Sequence, residues 1–269
     1  MRFATRYGFD LTIDPGAGSL ERFLYDTGIY EAGTLELMRD VLRPGDVFLD
    51  VGANIGLMTL TAALRVGERG HVYAFEPEAG ACALLRGNVS MNGLTNVTVV
   101  ESALGASAGT ATIHERETLG RGSATLVEDR EQHSAGSEVT IDAIDRFHAS
   151  IHFQPLRMVK IDVEGWEYQV LKGGESLFSS PEAPIVCIEC SRLHPLEGGT
   201  VREMLDWLTG VKAYILFTLR GGKNVPSPLV RVGNEGLRSN HDNVFCFLER
   251  HIRELPATMF EGTHASGGA

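Results

Sequence analysis

The stretch DVFLDVGANIGLMTL, residues 46–60, limits the possible folds more than any other part of the chain. A strand-like apolar run ends at Gly52, and apolar residues then recur at helical spacing over 55–66. A strand, a tight glycine turn and a helix in this order are typical of α/β proteins that bind nucleotide-type ligands at the turn. The residues of the turn must therefore indicate which ligand is bound.

Strand-like and helix-like segments alternate along most of the chain. Strands are predicted at 46–52, 71–77, 96–105, 157–165, 184–190, 212–219 and 243–249, and helices at 55–66, 78–92, 167–174 and from Thr200 onward. Thr200 and Glu203 have the spacing of a capping box, which marks a helix N-terminus. Because most of the strands are apolar on both faces, we predict an α/β sheet covered by helices on both sides.

A single domain over residues 1–269 is expected, because no long polar linker divides the chain. This domain is expected to consist of an N-terminal helical or lid segment over 1–45, a Rossmann-like core over 46–250 and a flexible tail over 255–269. Two segments interrupt the alternation. Residues 105–138 are expected to form an irregular hairpin excursion that could serve as a dimer arm, and 220–242 a long loop of the kind that often acts as a lid.

The charge of the chain limits its partners. Thirty-five acidic and 24 basic residues give a formal net charge of −11, which repels phosphate backbones and anionic membrane surfaces. We therefore expect no nucleic acid and no membrane as partner. No apolar run approaches the roughly 18 residues of a membrane span, so a cytoplasmic location is expected.

The four cysteines are expected to be free thiols, because they are too few and too scattered for a disulfide framework. Cys187 and Cys190 form a C-x-x-C pattern, which can also bind zinc. These two residues fall in a predicted strand, where positions three apart point to opposite faces and cannot share a metal. We therefore expect no zinc site here.

The turn departs from two known phosphate-binding motifs. A P-loop would end in Gly-Lys-Ser/Thr, whereas this turn ends in Ile55-Gly56-Leu57. A dinucleotide fingerprint would need glycine at Asn54 and at Leu57. The remaining pattern is D-x-G-x-N-x-G, with Asp50 at the strand end, Gly52 in the turn, Asn54 at a helix N-cap position and Gly56 just inside the helix.

This pattern suits a ligand that carries an amino-acid group. A carboxylate can bind the N–H groups at a helix N-terminus, and Asp50 can bind the neighbouring ammonium group. Glu76, at the end of the next strand, is positioned to bind ribose hydroxyls. A ribose together with an amino-acid end indicates S-adenosylmethionine rather than NAD. Each carboxylate by itself could equally be a solvated strand-end residue.

Four motifs, in register over about residues 28–190, resemble those of the FkbM-type S-adenosylmethionine-dependent methyltransferases: LRPGDVFLDVGANIGLMTL, VYAFEPE, NVTVVESALG and VKIDVEGWEYQVLKGG. The resemblance implies a class I methyltransferase fold, with a mostly parallel seven-stranded sheet whose last strand is antiparallel. It also implies O-methylation of hydroxyls on sugars or polyketide-type natural products. The cofactor contacts that it implies are Asp50, Gly52, Asn54 and Gly56 in the turn, Glu76 at the ribose, Ser102 and Ala103 at the adenine, and Glu31 over the methionine end.

The stretch KIDVEGWE supplies candidate catalytic residues. Methyl transfer to a hydroxyl needs alignment, which can contribute roughly 7–11 kcal/mol, and a general base, which typically adds about 10²–10⁴-fold. We expect Asp162 to face the methionine part of the cofactor and Glu164 to orient or deprotonate the acceptor, with Glu189 as a further acid. His194 and His241 are additional candidate bases, because imidazole titrates near pH 6.5.

Other roles for these acids remain open. They could cap the following helix or pair with Lys160 and Lys172. Asp162, Glu164 and Glu189 could also bind Mg²⁺ or Ca²⁺, which prefer oxygen ligands, but the spacing does not require a metal and none is expected. Trp166 is expected to pack against the following helix more than to contact an acceptor.

The preferred function is O-methylation of a sugar or natural-product small molecule. Three other functions are also compatible with the sequence. N-methylation of a small molecule or peptide is one alternative. An NAD-dependent oxidoreductase and a non-catalytic S-adenosylmethionine-binding domain are alternatives from other classes, and a homodimer is possible in each case.

Overall fold

The computed structural model describes residues 1–114, 124–127, 136–151, 155–191, 196–233, 236–237 and 241–262, with the backbone alone for His241. The strands are β1 Arg2–Ala4, β2 Asp10–Thr12, β3 Val47–Val51, β4 His71–Phe75, β5 Val97–Val100, β6 Ala103–Leu104, β7 Gly109–Ile113, β8 Ser137–Asp142, β9 Leu156–Ile161, β10 Ile185–Ser191, β11 Ile215–Leu219, β12 Leu229–Arg231 and β13 His241–Phe247. The helices are α1 Ser19–Thr27, α2 Ala32–Val41, α3 Leu57–Val66, α4 Ala79–Met91, α5 Ile144–Ser150, α6 Glu167–Lys172, α7 Glu175–Ser179, α8 Val201–Val211 and α9 Glu249–Arg253, followed by a 3₁₀ turn at Ala257–Met259.

The central sheet confirms the predicted α/β fold. Within the described residues it has eight strands in the order β12-β11-β13-β10-β9-β3-β4-β5. Strands β5, β4, β3, β9 and β10 are parallel, and β13 is antiparallel to both of its neighbours, as the resemblance implied. The sheet has eight strands rather than seven because β12 forms within 220–242, where we expected only a loop. Leu229 of β12 is fully buried, and this burial explains why the segment adds to the sheet.

Helices cover both faces of the sheet, and β3 shows why. Successive side chains of a strand point to opposite faces, so Phe48 packs with helices α1 to α4 while Leu49 packs with helices α5 to α8. All five residues of β3 are buried. A strand buried on both faces reads as a continuous apolar run, which is the pattern seen in the sequence.

The prediction that the cysteines are free thiols is confirmed. All four cysteines are buried free thiols. Cys187 packs in the core on one face of the sheet and Cys190 in the core on the other. Because burial raises the pKa of both thiols, neither is a ready metal ligand.

Both chain ends differ from the expected pattern. The N-terminal segment contains helices α1 and α2, but it starts with an antiparallel pair of strands, β1 and β2. The side chain of Asn88 accepts the backbone N–H of Thr12 at 2.6 Å, which joins this pair to α4. In the tail we expected flexibility from residue 255, yet Phe260 is buried against Phe217 and Phe247 in the core. Residues 263–269 lie outside the described part.

The segment 105–138 is described in part, and its strands form a second sheet. Strand β8 pairs antiparallel with β7 and parallel with β6. Ala103, Ile113 and Leu126 form a small apolar core beneath it. This core faces the main domain.

None of the described helices is long and apolar enough to cross a membrane.

Candidate functional site

A cavity of about 400 Å³ lies where β3, β4 and β9 end. Ligands of open α/β sheets bind at this edge. The predicted site residues that line the cavity are Glu31, Gly52, Asn54, Glu76, Ser102, Ala103, Asp162, Glu164 and Glu189. The tertiary structure therefore brings most of the candidates together, although they are spread over residues 31–189.

The turn after β3 has a left-handed backbone at three positions, with φ of 82° at Gly52, 50° at Asn54 and 99° at Gly56. A Cβ on Gly52 would lie 1.8 Å from the carbonyl oxygen of Asp162, so only glycine fits there. The N-cap of α3 is Gly56, not Asn54 as predicted, because the chain needs two further residues to complete the turn. Gly56 lies behind the cavity lining, where its α-hydrogens face Leu60 and Leu85.

Glu76 spans the gap between β4 and the turn. One of its carboxylate oxygens accepts the backbone N–H of Asn54 at 2.7 Å, and the other accepts that of Glu78 at 2.9 Å. Burial raises the pKa of Glu76 to about 7, although both hydrogen bonds oppose this shift. The carboxylate therefore holds the turn in shape and also presents acceptor oxygens to the cavity.

Asp50 has a different position from the one expected. It is completely buried and lies beneath the residues that line the cavity. One carboxylate oxygen accepts the hydroxyl of Thr59 at 2.6 Å, and the other has no hydrogen-bond partner in the structure. Burial raises the pKa of Asp50, although nearby Lys160 opposes this shift. A direct contact between Asp50 and a bound ammonium group is therefore not favoured by the geometry.

Three carboxylates meet at the other end of the cavity. Glu31, Asp162 and Glu189 each place an oxygen within 4.8 Å of the other two. Two lysines form ion pairs with these carboxylates. Lys160 binds Asp162 at 2.7 Å, and Lys223 binds Glu31 at 2.9 Å and Glu189 at 2.7 Å. We call these five residues the carboxylate–lysine cluster.

Asp162 belongs to both the cavity and this cluster. Burial and the negative charge of Glu189 raise the pKa of Asp162 to about 6, while Lys160 opposes the shift. For Lys160, burial alone would lower the pKa, but Asp162, Glu31 and Asp50 outweigh burial and raise it. The pairing of Asp162 with Lys160, considered above as an alternative role, is therefore present together with its position in the cavity.

The side chain of Glu167 stabilises the loop before α6. Asp162 and Glu164 do not have this role. Its carboxylate accepts the backbone N–H groups of Val163 and Gly165 at 3.0 and 3.1 Å. Glu164 adopts a left-handed φ of 56° and lines the cavity. Its carbonyl oxygen accepts the hydroxyl of Thr125 at 2.7 Å, so the inserted segment supports this loop.

The end of the cavity beside Ser102 and Ala103 is largely apolar. Phe75, Ile113 and Leu126 contribute to its wall, and two of these three belong to the segment 105–138. Trp166 also lines this end while packing against both neighbouring cores. Its buried indole nitrogen has no hydrogen-bond partner in the structure. A flat heterocycle would find apolar contact here.

The two candidate histidines are not tested by the described part of the structure. His194 lies outside the described residues. His241 is the first residue of β13, where its backbone pairs with Ser191, instead of ending a loop. The roles of both histidines therefore stay predictions.

A narrow cleft continues from the cavity past Glu164 and Glu189. Its far side is formed by Ser191, Leu196 and Val201. These three residues also line a second cavity of about 580 Å³. The other side chains of its wall are apolar at Leu205, Leu216, Val232 and Leu237, and polar at Thr200, Arg202 and Asp206.

Sequence reasoning missed two parts of the site. Lys223 and Asn243 belong to it but lie in a loop and a strand without a recognised motif. A signal existed for Lys160, which is a charged residue within an otherwise apolar predicted strand. For Ile113 and Leu126 no signal was visible, because the surrounding composition indicated an irregular excursion.

Comparisons with known proteins place this geometry in context. Residues 50–215, more than half of the chain, match the family model described as methyltransferase FkbM domain. The chain is 31% identical over 96 residues to a ribosomal protein L11 methyltransferase of Caldanaerobacter subterraneus subsp. tengcongensis, which covers 35% of this chain and 28% of the relative. It is 42% identical over 71 residues to a probable cobalt-precorrin-6B C(15)-methyltransferase (decarboxylating) of Sulfolobus acidocaldarius, which covers 26% and 37%.

These matches leave most of each relative uncovered, since the matched segments span only about a third of either curated protein. Among solved structures, a SAM-dependent O-methyltransferase of Thermotoga maritima aligns over 85% of this chain and 70% of its own. That alignment has 16% sequence identity and a TM-score of 0.45.

Proposed function

The chain belongs to the FkbM methyltransferase domain family, and from this premise we propose that it transfers the methyl group of S-adenosylmethionine to a hydroxyl of a small molecule, a sugar or another natural product. The observation that carries the proposal is one cavity with a buried carboxylate, Glu76, toward one end and the carboxylate–lysine cluster at the other. An apolar wall lies beside Glu76. This order of surfaces matches a nucleoside joined to an amino acid.

The residues present fit this cofactor. The volume of about 400 Å³ is within the range of small-molecule sites. Glu76 would accept the ribose hydroxyls, and the apolar wall beside Ser102 and Ala103 would hold the adenine. The first turn of α3 has no side-chain cap, so its N–H groups at Leu57 and Met58 would bind the carboxylate of the methionine part.

The ammonium group of the methionine part would bind at Glu31 and Asp162. This proposal replaces the role first expected of Asp50, which instead supports α3 through Thr59 and contributes negative charge next to Lys160. When bound, the cofactor supplies a methyl group on a sulfonium, which is reactive toward an aligned nucleophile.

The acceptor would enter on the side of Glu164 and Glu189. The second cavity lies beyond these residues, and its wall of both apolar and polar side chains suits the body of a natural product or glycoside. We propose that Glu164 or Glu189 orients the acceptor hydroxyl and draws off its proton, with alignment as the larger contribution. Neither needs a metal for this step.

The first experiment tests the cofactor. Thermal shifts of the protein are measured with S-adenosylmethionine, S-adenosylhomocysteine, NAD and NADP. We expect stabilisation by the first two, growing with ligand concentration as RT ln(1 + [L]/Kd). Glu76→Ala should remove most of this shift, and the exposed Glu68→Ala should keep it. Stabilisation by NAD alone would make the protein an oxidoreductase candidate instead.

The second experiment tests the acceptor. A pool of hydroxylated glycosides and polyketides is incubated with the protein and methyl-labelled cofactor, and products are detected by mass spectrometry. Label on a hydroxyl oxygen supports the proposal. Label only on amines would favour N-methylation, and bound cofactor without turnover over a broad pool would favour the non-catalytic alternative.

Other expectations stay predictions. The exclusion of nucleic acid depends on the net charge of −11. The single-domain organisation, the cytoplasmic location and a homodimer also remain to be measured.

A further inference from the structure

The carboxylate–lysine cluster has the oxygen ligands of a divalent metal site. Three carboxylates approach within 4.8 Å of one another, at Glu31, Asp162 and Glu189. Glu31 and Glu189 are buried, with exposures of 2% and 6%. Three like charges at this spacing need compensation, because water screens them poorly. Hard cations such as Mg²⁺ and Ca²⁺ are one source of such compensation.

The side chain of Lys223 contacts two of these three carboxylates. The ammonium nitrogen of Lys223 lies 2.9 Å from Glu31 Oε1 and 2.7 Å from Glu189 Oε1. Lys223 is not among the residues that line the cavity and reaches the carboxylates from the loop between β11 and β12. Burial alone would lower the pKa of Lys223, but Glu31 and Glu189 outweigh burial and raise it, so the side chain stays charged.

Backbone contacts fix the position of Lys223. Its carbonyl oxygen accepts the N–H of Thr34 at 3.1 Å, and its own N–H donates to the carboxylate of Asp242. A Cβ on Gly33 would lie 2.9 Å from the Lys223 carbonyl oxygen, so the loop packs tightly against the start of α2. The lysine is therefore held by elements on both sides of the cluster.

The backbone conformation of Glu31 is energetically unfavourable. It has a left-handed φ of 45°, which is rare outside glycine and asparagine. Its second carboxylate oxygen accepts the side-chain N–H of buried Asn243 at 2.9 Å. A strained residue persists where its surroundings determine its position, and here Lys223 and Asn243 do so together. Removing the lysine should therefore release the Glu31 carboxylate.

We propose that Lys223 is a resident cation that takes the place of a divalent metal. It holds Glu189 in the cluster and positions Glu31, which binds the ammonium group of the cofactor together with Asp162. This proposal rests on the proposed function. A metal ion would have to displace an ammonium group that contacts the same oxygens.

The test compares Lys223→Gln with Lys223→Arg. Glutamine keeps hydrogen-bond donors but removes the charge, whereas arginine keeps the charge. Mn²⁺ binding is measured by electron paramagnetic resonance, and S-adenosylhomocysteine affinity by calorimetry. We expect no stoichiometric Mn²⁺ site in the wild type or in Lys223→Arg. We expect one site in Lys223→Gln, abolished by adding Glu189→Gln.

The affinity measurement separates positioning from simple folding. Lys223→Gln should weaken S-adenosylhomocysteine binding about tenfold or more, as loss of one charge-assisted contact would do. Mn²⁺ should restore part of this affinity in the variant and leave the wild type unchanged. If Lys223→Gln does not fold, a stoichiometric Mn²⁺ site in the wild type would still overturn the proposal.

Two results would overturn the proposal. One is a stoichiometric Mn²⁺ site in the wild type that Glu189→Gln removes. The other is a folded Lys223→Gln that neither binds Mn²⁺ nor loses S-adenosylhomocysteine affinity. Failure of the wild type to bind S-adenosylhomocysteine at all would overturn the proposed function instead, and the Mn²⁺ measurements would still report on Lys223.

Discussion

Glu76 combines two roles that depend on its charge. It holds the turn through Asn54 and offers oxygens to the cavity, yet burial makes its ionised form costly. A carboxylate with a pKa of about 7 changes its charge in the physiological range. Cofactor binding should therefore respond to pH through this residue.

We predict that S-adenosylhomocysteine binds about tenfold more weakly at pH 6 than at pH 8. The ionised form of Glu76 is the better acceptor for ribose hydroxyls, so affinity falls as pH falls through about 7. Protonation of Asp162, with a pKa of about 6, acts in the same direction. Calorimetry over this range measures the effect, and Glu76→Gln should give weak binding with a flatter profile. Equal affinity at both pH values would contradict the prediction.

Gly52 carries the second residue-scale prediction. Gly52→Ala places a methyl group against the backbone of Asp162 and forces a positive φ on a residue with a Cβ. Gly67→Ala is the matched control, because Gly67 also has positive φ but has open space around it. The control should lose about 1–2 kcal/mol of unfolding free energy, and Gly52→Ala clearly more. Urea denaturation measures both losses. Equal losses would show that the contact with the Asp162 backbone contributes little to the change in unfolding free energy.

At the scale of elements, α8 shows how much a local signal can determine. Thr200 accepts the backbone N–H of Glu203 through its side chain, and the Glu203 carboxylate accepts that of Thr200 at 2.8 Å. The predicted capping box is therefore confirmed. Helix α8 also forms part of the second cavity wall, so its N-terminus contributes to the proposed acceptor side.

We predict that Thr200→Ala lowers the unfolding free energy by about 1 kcal/mol, the usual cost of losing an N-cap. Thr209→Ala, on the same helix, is the control. Its hydroxyl only contacts carbonyl groups of the preceding turn, so its loss should change little. Chemical denaturation of both variants tests the difference. A similar effect at the two positions would mean that the cap does not stabilise α8.

At the scale of the whole molecule, the buried acids set a pH dependence of stability. Burial raises the pKa of Glu76 and Glu167 to about 7, well above their ordinary value of 4.5. The folded state therefore binds protons more tightly than the unfolded state. The resulting stabilisation is complete below about pH 4.5 and is lost as pH rises through 7.

We predict that the ligand-free protein has a higher Tm at pH 6.5 than at pH 8. The net gain should be about 1 kcal/mol, or about 2–4 °C in Tm. Below pH 6.5 the effect is opposed by His71 and His251, because burial lowers the pKa of both and the unfolded chain takes up protons there. Calorimetry tests the trend. Glu167→Gln should reduce it, and a lower Tm at pH 6.5 would contradict it.

Local patterns in the sequence determined the fold class, most of the element order and part of the site. The turn after β3, Glu76 and the capping box at Thr200 could be predicted because each depends on neighbours within a few residues or on a strand end. The parallel sheet followed from strands that are apolar on both faces. Family resemblance added Glu31, Ser102 and Ala103, all of which line the cavity.

Tertiary structure alone decided how those residues are used. The sequence pattern predicted a ligand contact at Asp50. In the folded chain the strands lie side by side, and Asp50 is buried beneath the cavity. Glu31, Glu189 and Lys223 meet although they are far apart in the chain, and no local pattern encodes that meeting. The physical reason is that periodicity and turns report local contacts, whereas charge balance in a buried cluster depends on long-range packing.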